Sequence, residues 1–133
     1  AILKKNIASR PNAIVMEAAI GATPGKVALS NQSLGWAVQT TRADSGLPVV
    51  TVEDAFAAAG GGTPFICKID IEGFEKDLFS ENLDWISKCF AVIIEPHDWM
   101  LPGEMTSHNL QKAMAAHPFE MFMLGQNLAY VRV

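Results

Sequence analysis

"FICKIDIEGFE", Phe65 to Glu75, is the stretch on which the reading of the fold turns. Its first seven residues are rich in β-branched and apolar types, the composition of a strand. Gly73 breaks the run, and Phe74, Leu78 and Phe79 beyond it supply the apolar face of a short helix. Two carboxylates, Asp70 and Glu72, stand at this strand-to-helix corner, and a third, Glu75, follows. One reading is local: Glu72 caps the helix or pairs with Lys76 one turn on. The other is chemical, because in open α/β sheets ligands gather at the carboxyl ends of strands.

A second strand end has the same character. "CFAVIIEPHDW" (89–99) is an apolar run ended by Pro96, and it offers Glu95, His97, Asp98 and Trp99. If the two strands are parallel neighbours, these groups and the Asp70–Glu72 pair face one crevice. Carboxylates and a histidine together there suit acid/base chemistry or cation binding. The plain alternatives are a surface histidine at 97 and a packing role for Trp99 and Met100. His108 and His117 mark the two ends of a helix and read as structural, His117 by its fit to a helix C-terminus.

The remaining segments fall around these two. Residues 1–9 read as a helix end, stopped before Pro11. "AIVMEAAI" (13–20) has the continuous apolar pattern of a strand covered on both faces. "KVALSNQ" and "WAVQTTR" read as strands joined around Gly35. "VVTVEDAFAAA" passes from strand to helix with Thr51 as cap and Glu53 and Asp54 in the first turn. "GGGTP" (60–64) precedes a strand rather than opening a helix, which makes it a surface loop and not a phosphate cradle. Ser107 is placed to cap a helix that turns Leu110, Ala113 and Met114 inward and stops before Pro118. "FEMFML" and "LAYVRV", split by "GQN", form an antiparallel hairpin. Strands alternating with helices in the second half point to a largely parallel α/β sheet ending in that hairpin.

The 133 residues suit one domain with a real core. Half are apolar and the mean hydropathy is +0.19, which is globular rather than disordered. The net charge of −4, with Lys4, Lys5 and Arg10 as the only basic cluster, argues against a nucleic-acid surface. No apolar run reaches the roughly 18 residues of a membrane span. "AILKKNIASR" lacks the apolar segment of a signal peptide, and the absence of an initiator Met leads to the expectation of a processed or truncated piece. Cys67 and Cys89 make no metal motif, and a reduced, cytoplasmic chain is expected.

The order of segments resembles the FkbM family of S-adenosylmethionine-dependent methyltransferases. The likeness rests on Asn6, Ala19-Ile20-Gly21, Thr51-Val52-Glu53, the Lys68–Glu75 corner, and Glu95-x-His97. It implies a class I methyltransferase-like, Rossmann-like fold with a mostly parallel sheet, strand order 3-2-1-4-5-7-6, and an antiparallel C-terminal hairpin. It also implies that the chain is a partial domain, residues 1–133, in which the first two strands and the glycine-rich turn are missing. On this likeness S-adenosylmethionine is the cofactor, approached by Asp70 and Ala19. His97 is the catalytic base, with Glu95 orienting it or binding the acceptor. Glu72 and Trp99 face a small-molecule or sugar-like hydroxyl acceptor. Open sheet edges imply a homo-oligomer. Two other functions stay open: a non-catalytic fragment or interaction module, and a hydrolase using a divalent ion held by Asp70, Glu72, Glu95 and His97.

Overall fold

A computed structural model describes residues 2–31 and 38–133. In chain order the elements are α1 (Ile2–Asn6), β1 (Ala19–Ile20), β2 (Gly25–Asn31), β3 (Val38–Arg42), β4 (Leu47–Val50), α2 (Val52–Ala58), β5 (Ile66–Ile69) and α3 (Glu75–Leu78). A short 3-10 helix (Asp84–Lys88), β6 (Ala91–Ile94), α4 (His108–Ala115), β7 (Phe119–Leu124) and β8 (Asn127–Arg132) complete it. The turn expected around Gly35 lies outside the described residues.

The single, mostly parallel Rossmann-like sheet is not what forms. The strands make two mixed sheets, ordered β1-β4-β2-β3 and β5-β6-β8-β7. Only β1–β4 and β5–β6 are parallel; the other four pairings are antiparallel. Connection length accounts for two of the antiparallel pairings, β2–β3 and β7–β8. A parallel pair needs a crossover of roughly a dozen residues or more. The links β2 to β3 and β7 to β8 are far shorter, so these strands turn back on their neighbours.

The first sheet contains a tight crossing. β3 and β4 flank opposite sides of β2, and both reach it at Val27, opposite Arg42 and Leu47. The chain between them passes so close to β2 that a Cβ on Gly46 would lie 2.2 Å from the Val27 carbonyl oxygen. Gly46 also has φ +126, which an L side chain rarely adopts.

The expected strand 13–20 shrinks to Ala19–Ile20, and Ile14 and Met16 lie exposed rather than covered. Thr51 does cap α2, with a full capping box: its hydroxyl accepts from the Asp54 N–H, and the Asp54 carboxylate accepts from the Thr51 N–H at 2.9 Å. Ser107 does not cap α4 through its side chain. Its hydroxyl donates to Asp98 instead.

The main core lies against the second sheet. Ile69, Val92 and Ile94 from the strands meet Leu78, Phe79, Trp85, Ile86, Leu110 and Met114. A smaller core joins Val27 and Val49 of the first sheet to Phe74. The corner between β5 and α3 therefore touches both sheets. A polar clasp reinforces that junction: the Arg42 guanidinium grips the Asp77 carboxylate through Nη2 (2.7 Å) and Nε (2.8 Å), and the Ala22 N–H donates to the same carboxylate.

Candidate functional site

β5 and β6 are parallel and in register, Ile69 opposite Ile94, so their chains leave the sheet side by side. The Glu95 N–H donates to the Ile69 carbonyl and extends the ladder by one step. Beyond it the first chain turns at Glu72 (φ 54) and Gly73 (φ 93) into α3. A positive φ at a glutamate is a strained conformation that packing must hold. Glu72 is thus in the turn and does not cap α3, whose cap position is Phe74. Lys76 pairs with Glu104 at 3.4 Å rather than with Glu72.

The second chain turns at Pro96 and places His97 inward, 2 % exposed. Its Nδ1 lies 2.8 Å from Oε1 of Glu75, a fully buried carboxyl on the first turn of α3. Burial pushes the Glu75 carboxyl above its usual range; the His97 hydrogen bond and the Gly73 N–H pull it back only in part. With Glu75 ionised, the carboxylate only accepts; the neutral imidazole then donates from Nδ1 and keeps a lone pair on Nε2. That nitrogen lies 3.6 Å from Asp70 Oδ1 and 3.9 Å from Glu72 Oε2. Oε2 of Glu72 and Oε2 of Glu75 are buried without a hydrogen-bond partner. The other oxygen of Asp70 faces Lys68 Nζ at 3.6 Å.

The expected residues divide on this geometry. Asp70, Glu72 and His97 come together. Glu95 does not hold the imidazole; Glu75 does. Trp99 is exposed, its ring 6.5 Å from that of His97, and it lines a cavity of about 450 Å³ with Pro96, Met123 and Leu128. Ala19 lines a different cavity, of about 300 Å³, with Ile20, Ile71, Glu72 and Phe74. Glu72 also borders a third, of about 390 Å³, whose polar lining includes Thr40, Lys76 and Glu104. It is therefore common to two cavities, with the Asp70–His97 cluster beside them.

Asp98 proves to be a clamp on its own loop. It accepts from Thr106 Oγ1 (2.9 Å), from the Ser107 N–H (3.1 Å) and from the Ser107 hydroxyl. Partial burial opposes ionisation, but these bonds hold its carboxyl below the usual range. The loop after His97 is thereby pinned to the start of α4.

No family model, curated protein or solved structure matches the chain. Among the described residues, no helix is long and apolar enough to cross a membrane.

Proposed function

We propose that the chain carries the acceptor-activating side of an S-adenosylmethionine-dependent O-methyltransferase acting on a hydroxyl of a small-molecule or sugar-like compound. The observation that carries this reading is the buried Glu75–His97 hydrogen bond, with Nε2 left open beside Asp70 and Glu72. An imidazole so held is a general base of fixed tautomer and direction.

Bound S-adenosylmethionine would supply the methyl group. The chain's residues fit it in charge, since Asp70 is a half-exposed carboxylate beside which a cationic group is favoured. As the acceptor oxygen bonds to carbon, its proton passes to His97 Nε2, and Glu75 stabilises the imidazolium that forms. On this reading Glu72 contacts the acceptor from the cavity it shares with Ala19, and Trp99, which lines a separate cavity, contacts it from the His97 side. In-line displacement makes positioning the larger part of the rate.

Thermal unfolding with added S-adenosylmethionine tests this reading. At a hundredfold excess over its dissociation constant the cofactor is expected to stabilise the protein by about 2.7 kcal/mol and raise Tm accordingly. An unchanged Tm across all concentrations up to millimolar would leave a non-catalytic fragment or interaction module as the better account.

A further inference from the structure

We infer that Asp70 Oδ1, Glu72 Oε2 and His97 Nε2 form a divalent-cation site, with Glu75 as the carboxylate that orients the histidine ligand. The inference rests on the same three residues as the transfer reading but not on transfer itself. The three donor atoms all lie within 4.8 Å of one another. Ligands bound to one ion at about 2.0–2.2 Å stand roughly 3.0–3.6 Å apart, so closure needs only small side-chain movements. Both carboxylates are exposed enough to make them, Asp70 at 49 % and Glu72 at 36 %.

Two observations set this cluster apart from a chance group of acids. The His97 side chain is only 3 % exposed, and its Nε2 faces two carboxylates, 3.6 Å from Asp70 Oδ1 and 3.9 Å from Glu72 Oε2. Glu72 Oε2 is a buried oxygen with nothing to satisfy it, and its backbone is held at positive φ. A buried acceptor without a donor is costly, and a cation there removes the cost. The Glu75–His97 bond is the arrangement by which metal-binding histidines are usually fixed: one ring nitrogen donates to a carboxylate and the other is aimed at the ion.

The donor set is one imidazole nitrogen and two carboxylate oxygens, which suits Mn²⁺ and similar ions. Three protein ligands leave positions open, the mark of a working rather than a structural site. An acceptor hydroxyl bound in such a position would be acidified by the ion. Cation and proton are exclusive occupants of the Nε2 lone pair, so with the ion bound the hydroxyl proton leaves to solvent and His97 acts as a ligand.

Titration of the protein with Mn²⁺, following the free-ion electron paramagnetic resonance signal, tests the site without reference to activity. One saturable site per chain is expected. Asp70→Asn and His97→Gln should each weaken it at least tenfold, and Glu75→Gln by about 10- to 100-fold through the histidine alone. Lys68→Met should tighten it about two- to fivefold, because it removes a cation that competes for Asp70. Absence of saturable binding by the folded protein overturns the inference whatever the cofactor does. So does binding that Asp70→Asn and His97→Gln, shown folded by circular dichroism, leave unchanged. The transfer reading is judged separately, by S-adenosylmethionine and not by Mn²⁺.

Discussion

Replacing His97 with Gln is expected to lower kcat/KM for methyl transfer by about 10²- to 10⁴-fold, the range for loss of a positioned general base. Gln is the informative substitution because its amide N–H can still donate to Glu75, so the buried carboxylate keeps a partner. His97→Ala removes that partner as well. It should lose activity to a similar degree and also cost roughly 3–5 kcal/mol in stability, the penalty for stranding one member of a buried pair. Release of S-adenosylhomocysteine in the presence of the acceptor reports the first effect, and urea unfolding the second. A Gln variant that transfers methyl groups at the wild-type rate would remove His97 as base.

Trp85→Ala is expected to be the most damaging change in the core, at about 3–5 kcal/mol. Against a total stability of roughly 5–15 kcal/mol this is a large fraction. The indole is 1 % exposed and packs on Phe79 with ring centroids 5.7 Å apart. It belongs to the same cluster as Ile69 and Ile94, the last residues of β5 and β6. Those two residues set where Asp70 and the Glu95–His97 turn emerge, so the loss should reach the site. The midpoint of urea unfolding checks the magnitude. A shift worth less than about 1 kcal/mol would mean that the core closes around the gap.

Local features were legible in the sequence because local chemistry decides them. The Thr51–Asp54 capping box needs only residues three apart, and the β7–β8 hairpin needs only two apolar runs around Gly125. How the strands of the first half pair was not legible. The apolar run 13–20 resembles a covered strand, but nothing in its periodicity says whether a second layer arrives to cover it, and Ile14 and Met16 stay exposed. The parallel neighbours β5 and β6 did bring Asp70 and His97 together as their positions suggested. Glu75 was the residue overlooked, since a glutamate in a first helical turn reads as a solvated partner of the helix dipole. Its spacing held the missing signal: Glu75, Leu78 and Phe79 stand at i, i+3 and i+4, which places the carboxylate on the face that is buried.

The claim on which both the base and the cation site depend is the direction of the His97 ring. Long-range ¹H–¹⁵N correlation spectroscopy of the imidazole, at a pH where it is neutral, measures this directly. The arrangement described here gives a protonated Nδ1 and an unprotonated Nε2, with that preference lost in Glu75→Ala. A proton found on Nε2, or a tautomer indifferent to Glu75, would contradict it.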